Sequence, residues 1–107
     1  MENGYIGPQA GAVLDIGGGV GALLVLTGAA LSGREIELYD LEGRPVMHTE
    51  VHDRTVHSGT VHAGLFPAVP AGAYLLATTP DAERLPVAIS GGRVTEVTHV
   101  PEVAEVS

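Results

Sequence analysis

Cysteine, lysine and tryptophan are absent, phenylalanine occurs once, and no apolar run is long. Without cysteine there is no disulfide framework and no thiolate metal site. Without lysine, all positive charge rests on five arginines, set against 13 acidic residues for a formal net charge of -8. Such a chain repels a phosphate backbone and an anionic bilayer, so neither nucleic acid nor membrane is an expected partner. The longest apolar run, Val20 to Leu26, is interrupted by Gly21 and falls well short of the roughly 18 residues a membrane-spanning helix needs. Met1 to Ala10 carries Glu2 and no basic residue, which does not read as a secretory signal. These features predict a cytoplasmic protein.

The 107 residues make one domain. The sequence predicts a single folded unit over residues 1–100. A mobile acidic tail over 101–107 is expected after it, holding Glu102 and Glu105 and no large core residue. Charged residues make up 17% of the chain and hydrophobic ones 45%. An average domain is about 25% charged, and a small one has more surface to cover with polar groups. Burial of surface against a second chain accounts for the deficit; a bias toward Ala, Gly and Val accounts for it equally well.

Glycine and proline punctuate the chain at short intervals, at Gly17-Gly18-Gly19, Gly28, Gly33, Glu42-Gly43-Arg44-Pro45, Ser58-Gly59, Pro70-Ala71-Gly72, Pro80-Asp81 and Gly91-Gly92. The intervals suit short strands better than helices. Ala12–Ile16 and Ala22–Thr27 are continuous apolar runs, as in strands buried on both faces. Arg34–Asp40 alternates, with Ile36 and Leu38 opposite Glu35, Glu37 and Tyr39. Val46–Asp53 alternates as one strand, with Met47 and Val51 opposite His48, Glu50 and His52. Thr60–Phe66, Ala73–Thr78, Leu85–Ser90 and Val94–His99 complete seven or eight strands; Gly91-Gly92 is expected to join the last two as a hairpin, and Gly28–Gly33 fits a single helical turn. The fold class predicted is an all-β antiparallel sandwich. Its expected core is Val13, Leu14, Ile16, Leu24, Leu26, Ile36, Leu38, Val51, Val61, Leu65, Tyr74, Leu76, Val87, Ile89 and Val97.

Leu65-Phe66-Pro67-Ala68-Val69-Pro70-Ala71-Gly72-Ala73-Tyr74 resembles the Pro-Ala-Gly-x-Tyr corner of prealbumin-like (transthyretin-type) β-sandwich modules. The resemblance implies a tight turn at Pro70 and Gly72, and a Tyr74 hydroxyl bonded back to the loop backbone. The chain is also similar to a group of short actinobacterial proteins that share Leu14–Gly17, Gly33–Glu37 and Phe66–Tyr74. Neither likeness specifies chemistry, because such modules serve as adhesins, carriers and scaffolds. There is no Gly-x-Ser-x-Gly elbow and no calcium-loop spacing.

Val13 to Ala22, with Gly17-Gly18-Gly19 and Gly21, resembles the first motif of S-adenosylmethionine-dependent methyltransferases, and also the phosphate loop of actin-like ATPases. The first resemblance implies cofactor contacts from Asp15, Gly17 and Gly19, and ribose contacts from Asp40. It requires a helix after Gly19 and a doubly wound sheet about twice this length, whereas the segment also reads as a glycine-rich turn between two strands.

Four histidines, His48, His52, His57 and His62, fall within fifteen residues, beside Glu50 and Asp53; His99 is distant. Imidazole with carboxylate suits zinc, nickel or copper. His48 and His52, four apart on one strand, would lie about 13 Å from each other, too far to share an ion. His48 with Glu50, or Glu50 with His52, fits, with His62 supplying a third ligand across the sheet. His48, Glu50, His52 and His62 are therefore the candidate ligands, and a solvated strand face is the competing account. Glu35 and Glu37 lie two apart on a strand face, with no loop to form a pocket for acid–base chemistry. The function expected is a non-catalytic binding or scaffolding module that self-associates. A metal-binding module and a small methyltransferase are the competing functions.

Overall fold

The computed structural model describes residues 17–79 and 83–99. The expected strand at 12–16, Asp15 and the expected tail at 101–107 lie outside these residues. Eight strands are present among them: β1 Val20–Thr27, β2 Glu35–Tyr39, β3 Pro45–Glu50, β4 His52–Val56, β5 Gly59–Pro70, β6 Gly72–Ala77, β7 Leu85–Ile89 and β8 Val94–Thr98. One turn of 3-10 helix, Ala29–Leu31, lies where a helical turn was expected. The strands form two four-stranded sheets, a front sheet in the order β4-β5-β1-β8 and a back sheet in the order β3-β2-β6-β7. The fold is an all-β sandwich. No described helix is long and apolar enough to cross a membrane.

Apolar residues of the two inner faces meet between the sheets. Leu23 and Val25 of β1 and Phe66 of β5 face Ile36 and Leu38 of β2, Leu76 of β6, and Val87 and Ile89 of β7. Burying a side chain of this kind contributes about 1.5–3 kcal/mol, enough for this cluster to hold the sheets together. Two glycines let the layers approach. A β-carbon at Gly64 would stand 2.7 Å from Ile36 Cδ1, and one at Gly21 would stand 2.9 Å from Ile89 Cγ2.

Three sequence expectations are corrected. Val46–Asp53 is not one strand: it breaks at Val51, with β3 at the edge of the back sheet and β4 at the edge of the front sheet. Val51 is fully buried between the sheets, and its backbone is tied on both sides, Val51 N–H to Arg34 O at 2.9 Å and Gly33 N–H to Val51 O at 2.8 Å. An alternating pattern looks the same whether a strand continues or changes sheet, so the break left no trace in it. Gly91-Gly92 likewise is not a hairpin, since β7 and β8 belong to different sheets. Arriving from the other sheet, β8 is free to lie parallel to β1, and this pair departs from a purely antiparallel arrangement.

The third correction concerns β1 and β5. Leu24, opposite Leu65, and Leu26, opposite Ala63, face away from the inter-sheet core and form a second cluster with Val56 and Val61. Of the expected core residues, Leu24 and Leu65 are buried as expected, with Leu26 and Val61 partly buried against them, but in this second cluster on the outer face of the front sheet. A continuous apolar run does not reveal which alternate residues point inward. Strand β5 also runs on to Pro70 instead of ending at Phe66. Leu23 pairs with Phe66 and Gly21 with Val69, so β5 carries one extra residue around Pro67 and Ala68. A bulge tolerates a proline that cannot donate to the ladder.

The corner at Pro70 forms as the resemblance implied. Tyr74 Oη donates to Pro70 O at 2.6 Å while its ring packs against the core. Burial pushes the Tyr74 phenol above its ordinary range.

Candidate binding surface

The break at Val51 distributes the four candidate metal ligands. Glu37 is directly opposite His48, and Glu35 is opposite Glu50, which places His48 and Glu50 on the outer face of the back sheet. His52 is opposite Ala63, on the outer face of the front sheet. His62 is opposite Asp53 and Thr27, on the inner side of the same sheet. The structure therefore brings His48 and Glu50 to one face and separates both from His52 and His62. Among the described residues, no three His, Asp or Glu side chains gather as a ligand set.

His62 has a different partner. Its Nδ1 lies 2.9 Å from Asp53 Oδ1, and Ser32 Oγ donates to that same oxygen. Ser32, Asp53 and His62 are the residue types of a hydrolytic triad, but the connections differ. A nucleophilic serine must donate to the imidazole, with the carboxylate behind it. Here the carboxylate sits between the other two, and Ser32 gives its proton to Asp53. The arrangement ties the loop after Leu31 to the β4–β5 edge. The Ser32 hydroxyl first, and then His62, hold the Asp53 carboxyl below its ordinary range.

Asp40, the expected ribose ligand of the methyltransferase resemblance, is occupied by its own turn. Asp40 Oδ1 accepts from the backbone N–H groups of Glu42 and Arg44, each at 2.9 Å, and Oδ2 accepts from Arg44 Nε at 3.3 Å. These bonds, the Arg44 amide foremost, lower its pKa from the usual carboxylate range. The segment after Gly19 is β1, where that resemblance requires a helix.

The most distinctive surface is the outer face of the back sheet. Its register sets residues in rows across the strands. Tyr39 of β2 lies opposite Leu75 of β6, which lies opposite Pro86 of β7. Ala73 opposite Ala88 makes an adjoining row. At the β2–β3 end, Val46 sits at a register shift beside Tyr39, 46% exposed, and Leu41 in the turn is 62% exposed. The row on the other side is polar, with His48, Glu37 and Ala77 in line and Glu35 and Glu50 beyond them. Arg84 stacks over the Tyr39 ring, 3.7 Å from its centroid. Tyr39 Oη donates to Glu37 Oε1 at 3.0 Å, and this bond to an anion raises the phenol pKa. Between the two halves is a shallow depression of about 160 Å³, lined by Glu35, Glu37, Tyr39, Ala77 and Thr79, with Ile36 at its floor.

Sequence reasoning missed this face. Its signal was the run Ala73-Tyr74-Leu75-Leu76-Ala77, apolar on both sides of the strand. Alternation along the strand selects Tyr74 and Leu76 for the core and leaves Leu75 without a role. Comparison of the chain with protein-family models, curated proteins and solved structures finds no match.

Proposed function

We propose that this chain is a non-catalytic binding module that pairs with a second copy of itself through the outer face of the back sheet. The observation that carries this reading is the apolar row of Tyr39, Leu75 and Pro86, with Ala73 and Ala88 beside it and exposed Val46 at the β2–β3 end. It lies on a sheet whose other face already packs the core. The largest apolar patch on a typical monomer, roughly 300–600 Å², is often functional. The scarcity of charged residues, 17% of the chain, agrees with a face that is covered in the assembled state. Arg84 beside Glu37 supplies both signs of charge, so a twofold pairing can set unlike charges against each other across the seam.

The interface is modest. Four strands about 4.8 Å apart, each about five residues of roughly 3.4 Å, present a flat area of roughly 320 Å² before side-chain relief. Stable interfaces bury about 800 Å² on each partner, so the expected association is weak and concentration-dependent. Size-exclusion chromatography with light scattering over a concentration series tests it. The native chain is expected to rise from monomer to dimer mass, and Leu75→Arg to stay monomeric while keeping its fold by circular dichroism. A native chain that remains monomeric at the highest soluble concentration overturns the proposal.

A further inference from the structure

Two observations on the outer face of the back sheet bear on how a second copy would meet it. The first is shape. The depression lies on the row of Glu37 and Ala77 and extends past it to Glu35 and Thr79. Half-buried Leu75 stands on the next row, two residues along β6 from Ala77, a step of about 6.8 Å. The face therefore has a hollow, with Ile36 at its floor, and an apolar side chain one row away from it.

The second is charge. Glu35 and Glu37 line the hollow, and Glu50 lies opposite Glu35. On the Leu75 side, the Arg84 guanidinium lies over the Tyr39 ring, 3.7 Å from its centroid, and makes no ion pair among the described residues. A guanidinium stacked flat on a ring keeps the N–H groups of its edge free for a carboxylate. Anion and cation thus sit one row apart on β2, in the same order as hollow and leucine on β6.

A twofold axis that lays this face on its own copy, with the sheets aligned, runs either along the strands or across them. An axis along the strands returns each row to itself. Acidic side chains then meet the acidic row, and Leu75 never reaches the hollow. An axis across the strands, passing between the two rows, exchanges them. Both complementarities are satisfied at once by that axis alone.

We infer that the pair forms about an axis across the strands, between the Glu37–Ala77 row and the Tyr39–Leu75 row. Leu75 of each copy seats in the hollow of the other, and Arg84 of each copy binds Glu37 of the other. This rests on the pairing reading and adds its geometry. Apolar contact supplies the attraction, and the charges set the orientation.

Charge reversal tests the geometry, read by size-exclusion chromatography with light scattering at a concentration where the native chain is dimeric. Arg84→Glu and Glu37→Arg each set like charges together twice per pair, so each variant alone is expected to associate roughly tenfold more weakly. Mixed in equal amounts, the two variants are expected to recover native dimer mass, because every reversed charge then faces its opposite. Thr79→Trp fills the hollow and is expected to weaken pairing with the charges left native. Circular dichroism checks each fold; if Glu37→Arg loses it, Glu35→Arg, at the same hollow, takes its place. Three outcomes overturn the geometry while the native chain still pairs: single variants that associate as tightly as the native chain, a mixture no tighter than its components, or Thr79→Trp pairing at native strength. A native chain that stays monomeric removes the pairing itself, and this geometry with it.

Discussion

Tyr74 shows how one hydroxyl secures a corner. Its bond to Pro70 O closes the β5–β6 turn while the ring stays in the core, so Tyr74→Phe removes the bond with little change in packing. The expected loss is about 1 kcal/mol in urea unfolding, with an unchanged slope. Asp53 is the residue through which acid should act. Ser32 and His62 favour its ionised form in the folded chain, which lowers its pKa. The stabilisation is therefore complete above the ordinary aspartate range, near about 3.9, and disappears as pH falls through the lower folded value. The gap in unfolding midpoint between the native chain and Asp53→Asn should narrow steadily on acidification. A gap independent of pH would show that the carboxylate is uncoupled from folding.

At the scale of elements, two positions control how the sheets meet. Val51, fully buried at the crossing from β3 to β4, plugs the space between them. Val51→Ala removes two methyl groups from a site whose neighbours are held by backbone bonds, and it should cost about 2 kcal/mol. Gly64 is the converse case. A β-carbon there would press on Ile36 Cδ1 at 2.7 Å and Thr49 Cγ2 at 3.1 Å. Gly64→Ala should destabilise by about 1–3 kcal/mol through overpacking, and a thermal melt of each variant measures the difference. If Gly64→Ala instead raised the melting temperature, Ile36 would have to possess a second, unstrained rotamer.

For the whole molecule, charge and apolar surface oppose one another. Two copies each carrying -8 repel at low ionic strength, while contact between their Leu75 faces attracts. Added salt screens the first and leaves the second, so dimer mass in light scattering should increase with sodium chloride. Association that weakened with salt would point to an interface held by ion pairs, such as Arg84 with Glu37, in place of the apolar rows.

Residue order settles the local structure of this chain. Turn residues at short intervals with alternating segments between them specify strands; the faces of Glu35–Tyr39, the single helical turn near Leu31 and the Tyr74 corner all follow from side-chain chemistry within a few residues. Which sheet each strand joins depends on contacts distant in sequence. His48 and His52, four residues apart, lie on different sheets because Val51 turns inward between them; Leu23 and Leu24, adjacent in the chain, divide between two clusters because successive residues of β1 face opposite sides of the front sheet. Periodicity records that a residue alternates, and only packing against distant strands decides toward what, which is why the four expected ligands disperse while the face around Leu75 emerges from the fold.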